Sequence, residues 1–175
     1  MSDDARAAIR AARRSDLHAL TDLRLQFLGE AAHADTRLRL MPDARQRTEQ
    51  ALPVWMGQTD RVLLVALDPA LSHGDGPGAD DAPAVGYAMG LLGNVPPVLL
   101  HQHVGEILEV HVAPEHRGRG YGTRVTAHLC RQLVPHADPI GLNVKADNEA
   151  AIRCYRNLGF KSHAIYGEYM VEAEG

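Results

Sequence analysis

Apolar positions recur with two periods along this chain, and the alternation between them predicts the order of elements. Ile9 to Arg13 has the short extended character of a strand. Ser15-Asp16 then offers N-cap oxygens to a helix that carries Leu17, Leu20, Leu23 and Phe27 at helical spacing. A second helix is expected from Pro42-Asp43 to Leu52, where Pro53 ends or kinks it. Arg61 to Asp68, with the unbroken apolar run Val62 to Leu67, reads as a buried strand, and Val85 to Leu92 as the next. Between them, Pro69 to Ala84 is rich in Gly, Pro and Asp and has no periodicity, which predicts a flexible loop over 69–84. Gly93-Asn94 with Pro96-Pro97 marks a turn before the strand Glu106 to Val112, which Ala113-Pro114 stops. Gly120 to Val134 reads as a helix with Val125, Leu129 and Leu133 in one stripe, and Ile140 to Val144 as a short buried strand. Asn148 to Leu158 reads as a helix with Asn148 at the N-cap and Gly159 at C′. From Phe160 the chain returns to strand, with Tyr166 to Val171 the last one. The order βα(α)βββαβαββ is that of an α/β, or mixed α+β, sheet flanked by helices, with no internal repeat.

Composition narrows what such a domain does. A length of 175 residues suits a single domain spanning 1–175. With 45% hydrophobic and 23% charged residues, the chain falls outside the disordered, collagen-like and disulfide-scaffold classes. A net charge of -4 supplies no global basic field, so nucleic acid is not an expected partner. No run of about 18 apolar residues and no apolar leader core occur, so neither membrane insertion nor export is expected. Cys130 and Cys154 belong to no CxxC spacing, which points to a reducing cytoplasm with both as small buried thiols. The ten histidines include His101, His103, His111 and His116, but none stands in HExxH or another ligand spacing, and no metal is expected.

Candidate chemistry concentrates between the strand ending at Val112 and the helix beginning near Gly120, in Arg117-Gly118-Arg119-Gly120-Tyr121-Gly122-Thr123. Glycines can take positive φ and let main-chain N–H groups turn toward an anion. The helix that follows brings unsatisfied N–H donors and the positive end of its dipole. A P-loop fails because no Lys follows the glycines, and GxGxG is not the dinucleotide fingerprint GxGxxG. An ordinary glycine-rich turn remains open on this segment alone.

Arg117 to Gly122 resembles the [Q/R]xxGx[G/A] signature of the GNAT (GCN5-related N-acetyltransferase) superfamily, and Val112-Ala113-Pro114-Glu115-His116 resembles that family's strand exit. A second block, Asn143 to Phe160, is similar to its distal motif, with Asn148, Tyr155 and Gly159-Phe160 in their places. The element order is similar too, so the likeness covers nearly the whole chain. The resemblance implies an acetyl-CoA N-acyltransferase fold with a mostly antiparallel, splayed sheet, and acetyl-CoA entering between the strands that end at Val112 and Val144. It implies a pyrophosphate held by the amides of Gly118 to Thr123, with Asn148 and Tyr155 in the distal part of the cofactor site. It implies a pantetheine arm along Val110, His111 and Val112. Arg117 and Arg119 either complement the phosphates or are solvated surface residues. Dimers are common among family members, so a homodimer is compatible with the likeness.

The implied reaction is direct attack of an amine of a small molecule, peptide or protein on the acetyl carbon in a ternary complex. The resemblance implies that Tyr155 is the acid: a phenol with pKa about 10 stays protonated at neutral pH, while an alkylthiolate leaving group has pKa about 8.5. By spacing alone Tyr155 also falls on an apolar stripe with Ile152 and Leu158, which a packed tyrosine would satisfy equally. The resemblance offers Glu106 and Glu109 as bases, with a water chain as the alternative; strand alternation puts the two on opposite faces unless a bulge intervenes. Deprotonating a lysine-like ammonium at pH 7 costs about 4.6 kcal/mol, an α-amine about 1.4 kcal/mol, so the base matters more for the first. Arg37 and Arg39, between the first two helices, are candidates for an acceptor's carboxylate or phosphate. A non-catalytic acyl-CoA-binding or sensory module, and an interaction protein using the same scaffold, are the readings from other classes.

Overall fold

A strand with apolar side chains at every position is stable only when both its faces are covered. The computed structural model describes residues 8–35, 38–71, 82–94, 103–165 and 167, and the apolar run Val62 to Leu67 makes such a strand of β2 (Arg61–Leu67), second of five in the sheet and buried from Leu63 onward. It pairs antiparallel on one side with the short β1 (Ala8–Ala11) and on the other with β3 (Ala84–Asn94). β3 pairs antiparallel with β4 (His103–Val112), and β4 runs parallel to the short β5 (Ile140–Leu142). Strand order therefore follows chain order, and only the β4–β5 step requires a crossover helix.

Helices α1 (Leu17–Ala34) and α2 (Ala44–Met56) cover one face, where Leu20, Leu23 and Leu52 join Leu63, Val65, Leu67, Tyr87 and Met89 in one core. The crossover helix α3 (Tyr121–Leu133) covers the other. A Cβ added at Gly90 would stand 3.1 Å from Leu129, and one added at Gly105 would meet Leu133 at 3.5 Å. The stripe Val125, Leu129 and Leu133 is fully buried, as its spacing requires. Residues through Asn143 make one compact unit; those from Val144 onward make a second, which holds α4 (Glu149–Asn157).

Several elements differ from the pattern-based expectation for local reasons. Asp16 does not cap α1: its carboxylate accepts the Arg13 N–H at 2.6 Å and the Arg10 guanidinium at 2.6 and 2.9 Å, tying β1 to the turn before the helix. Burial works to raise the Asp16 pKa, but Arg10 and the Arg13 N–H outweigh it and hold the carboxyl below its ordinary value. α2 continues through Pro53 to Met56, and Gly57 donates its N–H to the Pro53 carbonyl at 3.1 Å. β3 runs through Gly93-Asn94 instead of turning there. β5 is shorter than expected and half-buried, not buried, with Gly141 exposed. Residues 160–165 form no strand. Of the segment 69–84, Pro69–Leu71 is a 3₁₀ turn and Ala84 opens β3. Its central residues, the Pro96-Pro97 turn, His101, Arg37 and nearly all of the strand expected at Tyr166 to Val171 lie outside the described residues. Cys130 and Cys154 are half-buried thiols rather than fully buried ones.

Candidate active site

The glycine turn takes its shape from two left-handed residues, Gly118 at φ +76° and Gly120 at φ +79°. Gly120 occupies the N-cap of α3 and has no side chain of its own to cap the first-turn amides. Nothing lies within 4 Å of a Cβ built on Gly118, and Gly122 sits against the end of β4, where a Cβ would meet Val112 at 3.8 Å. The turn is thus an open-faced cradle of main-chain donors, packed against the last residue of the strand. Its geometry fits a diphosphate.

The strand before the turn has a free edge. β5 pairs with β4 only from Gly105 to Ile107, so beyond that point β4 has no strand neighbour on this side among the described residues. Ala113 donates its N–H to Val85 of β3 at 2.9 Å. Alternation then turns the His111 main chain toward β3 and the N–H and C=O groups of Val110 and Val112 toward the free edge. The main-chain groups of Val110 and Val112 thus face no strand among the described residues, whereas the His111 backbone belongs to the sheet. The Val112 carbonyl already accepts the Arg117 Nε–H at 2.9 Å.

Both arginines of the turn are held by groups of the chain itself. Arg117 makes a fork to Glu30 of α1, its Nη2 at 2.7 and 2.8 Å from the two carboxylate oxygens. Arg119 reaches the Glu115 carbonyl at 3.3 Å and stands 3.7 Å from the buried Asp68 carboxylate. Arg39 is exposed on the connection between α1 and α2.

A bulge decides how the two glutamates are disposed. Met89 pairs with Glu109 and Gly90 with Ile107, so Leu108 has no partner residue on β3. Ile107 shares the α3 face with Gly90, which sends Glu106 to the α1 face. Glu109 points to that same face, because its carboxylate accepts the Arg24 Nε–H and Nη2–H at 3.2 and 3.0 Å. The opposite-face expectation therefore fails at the skipped residue. Tyr87 donates its hydroxyl to Glu109 at 2.8 Å, and burial first, then the Glu109 charge and hydrogen bond, push its pKa far above the phenol value. Burial opposes the Arg24 charge, yet Glu109 more than compensates and raises it. Glu109 is thus a paired structural anion, whereas Glu106 is half-buried and has no hydrogen-bond or ion-pair partner among the described residues.

His111 is buried beside this group, its Nε2 3.2 Å from the Gln26 carboxamide oxygen and its ring 5.8 Å from Phe27 and 6.1 Å from Tyr87. Burial first, with Arg117 assisting, lowers its pKa below the ordinary 6.5. A histidine kept neutral in the fold protonates more readily when unfolded, so stability falls as pH drops below 6.5 toward the folded-state value. His111→Gln is expected to flatten that decline in urea titrations run between about pH 5 and 7.5. His128, lowered by burial and by Arg131, contributes in the same direction and is retained in that variant. An unchanged pH slope in H111Q would contradict the assignment.

Within the second unit, Asn148 caps α4 by accepting the Ala151 N–H at 3.1 Å. The helix ends in a Schellman motif: Gly159, at φ +91°, donates to Arg156 at 3.0 Å, and Phe160 donates to Tyr155 at 3.0 Å. That motif brings C3 and C″ together, here the rings of Tyr155 and Phe160 at 5.9 Å, edge to face. Burial, and to a lesser degree Cys154, raise the Tyr155 pKa above 10.0. Gly159-Phe160 therefore fixes the ring of the candidate acid.

Sequence reasoning missed Arg24, Tyr87, Glu30 and Asp68. No local signal marks them; Arg24 and Glu109 are 85 residues apart and Glu30 and Arg117 are 87 apart. Among the described residues, no group of three His, Cys, Asp or Glu side chains could hold a metal, and no helix is long and apolar enough to cross a membrane.

A mixed sheet of this strand order, with a glycine turn leading from its fourth strand into the crossover helix, is the architecture of an acetyltransferase. The profile of the acetyltransferase (GNAT) family matches residues 36–160, and the chain belongs to that family. A mycothiol acetyltransferase of Mycolicibacterium smegmatis is 37% identical over 70 residues, 38% of this chain and 24% of the relative. Another, of Mycobacterium leprae, is 39% identical over 75 residues, 39% of this chain and 24% of the relative. The chain thus spans about a quarter of the length of the curated relatives it matches. The BH1408 protein of Bacillus halodurans, solved as a tetramutant, gives a TM-score of 0.76 at 19% identity, with 94% of this chain and 99% of that one covered. The aminoglycoside N-acetyltransferase AAC(6')-Iy, solved in complex with CoA, gives 0.69 at 15% identity, with 96% of each chain covered. At these identities the two structures show the fold.

Proposed function

We propose that this chain is an N-acetyltransferase that moves the acetyl group of acetyl-CoA to a primary amine of a small molecule or peptide. The observation that carries the reading is the pairing of an open main-chain cradle at Gly118 to Thr123 with a free strand edge at Val110 and Val112 leading into it. Family membership and a solved neighbour that binds CoA agree with it.

When bound, acetyl-CoA supplies the acetyl thioester. The amides of the turn and of the first turn of α3 hold the diphosphate, aided by the helix dipole. Outward backbone groups of Val110 and Val112 align the pantetheine arm. Glu106, on the α1 face and without a partner among the described residues, takes a proton from the ammonium, directly or through water, and the neutral amine forms the C–N bond as the C–S bond breaks. Tyr155, kept protonated by burial, gives its proton to the departing sulfur. Nitrogen gives up two protons between ammonium and amide, the first to Glu106 and the second as the amide forms. One of them restores the Tyr155 hydroxyl that protonated sulfur and the other passes to solvent, and no acyl-enzyme is required, so positioning supplies much of the acceleration.

Release of free thiol from acetyl-CoA across a panel of amines and peptides tests this, with CoA affinity measured by calorimetry on the same protein. Turnover with at least one amine is expected. Saturable CoA binding with no turnover on any acceptor would instead favour a non-catalytic acyl-CoA-binding module. Absence of binding would remove both readings.

A further inference from the structure

Asp68 follows β2 directly and is 3% exposed, a carboxylate placed in the interior at the end of the sheet where the glycine turn begins. Isolated buried carboxylates are costly, so such a group persists only where it is fully engaged. One oxygen accepts the Ala70 N–H at 3.0 Å. The other faces the turn, 3.6 Å from His116 Nδ1 and 3.7 Å from Arg119 Nη1. His116 Nδ1 is buried and has no hydrogen-bond partner, and the Asp68 carboxylate stands within ion-pair distance of it. Tyr121 is coupled to the same carboxylate: its pKa rises through burial first and then through Asp68. His116 and Tyr121 are also in edge-to-face contact at 6.3 Å.

These three side chains bracket the cradle. His116 precedes Gly118, Arg119 separates the two left-handed glycines, and Tyr121 opens α3. Gly118 and Gly120 have no side chains through which the fold could grip them, so the turn's conformation depends on its neighbours. We propose that Asp68 is the positioning residue of the cofactor turn: as the buried counter-charge to His116 and Arg119, coupled also to Tyr121, it holds the main chain of Gly118 to Gly122 in the arrangement that binds a diphosphate. This inference rests on the acetyl-CoA reading above.

Coulomb's law supplies a test of sign. Asp68 is an anion close to the site of an anionic ligand, so through space alone its removal must tighten CoA binding. Positioning demands the opposite. In the full-length chain, Asp68→Asn and Asp68→Ala are expected to raise both the calorimetric Kd for CoA and the KM for acetyl-CoA about ten-fold or more, with the amine KM unchanged. Tyr121→Phe, which removes one hydroxyl, should shift the Kd in the same direction, and the D68N/Y121F double variant should be no weaker than D68N alone, because both act through one contact.

A CoA Kd that is unchanged or tighter in folded D68N overturns the proposal. So does a D68N protein with a lower Tm and fewer competent sites whose remaining sites bind at the wild-type Kd, since that is the mark of a residue needed only for folding. If neither Asp68 variant folds, Y121F decides, and a wild-type Kd there overturns it. Failure of the wild-type chain to bind CoA removes the acetyl-CoA reading itself, and this inference with it; failure confined to the variants removes only the role of Asp68.

Discussion

Tyr155→Phe is expected to lower kcat about 10²- to 10⁴-fold, the range for loss of a positioned general acid, while leaving the CoA Kd near the wild-type value. The hydroxyl is the only group removed, and the edge-to-face contact with Phe160 needs only the ring. The pH profile gives an independent check. Because burial raises the Tyr155 pKa, the alkaline fall in kcat that reports loss of its proton lies above 10.0. A Y155F enzyme with full turnover, or an alkaline limb below that value that vanishes in no Tyr155 variant, would show that another group protonates the thiolate.

The second large effect separates the two glutamates of β4. Glu109→Gln keeps the shape of the side chain but leaves the Arg24 guanidinium, 23% exposed, without its anion and Tyr87 with a weaker acceptor. Breaking a half-buried pair of this kind costs about 1–3 kcal/mol of folding stability, between the values for exposed and for fully buried pairs. Glu106→Gln removes a carboxylate with no ion-pair partner among the described residues, so its stability should stay within about 0.5 kcal/mol of wild type. Its kcat should nevertheless fall, and fall more for lysine-like acceptors than for α-amines, since deprotonation at pH 7 costs about 4.6 against about 1.4 kcal/mol. Urea titrations and steady-state rates on the two variants check this directly. A stable E109Q with lost turnover beside an unaffected E106Q would reverse the roles.

The same comparison shows why the base was ambiguous from spacing. Positions 106 and 109 fall on opposite faces of a regular strand, and only the unpaired Leu108 brings them to one face. A bulge of this kind is set by pairing with β3, and nothing in the run Glu106 to Val112 announces it. Nor does local sequence reveal that Glu109 is already committed, because Arg24 and Tyr87 arrive from α1 and β3. Spacing leaves the two arginines of the glycine turn open between phosphate ligation and solvent; in the structure both engage the chain itself, through Glu30 and Asp68.

Where the determining interactions are local, the sequence is a sufficient guide. Unbroken apolar character identifies a strand covered on both faces, the 3.6-residue stripe places α3 against the sheet, and Asn148 and Gly159 bound α4, because periodicity, capping and left-handed glycines act within a few residues. The glycine turn and the distal block likewise mark the acetyltransferase family, since the left-handed backbone at Gly118, Gly120 and Gly159 is specified by a short motif. What only the tertiary structure decided is which charged groups are available: the bulge at Leu108, the capture of Glu109 by Arg24 and Tyr87, and the hold of Asp68 and Glu30 on the cofactor turn. Each of these arises from sheet register and helix packing between segments remote in sequence, and a carboxylate's role depends on whether such packing supplies it with a partner.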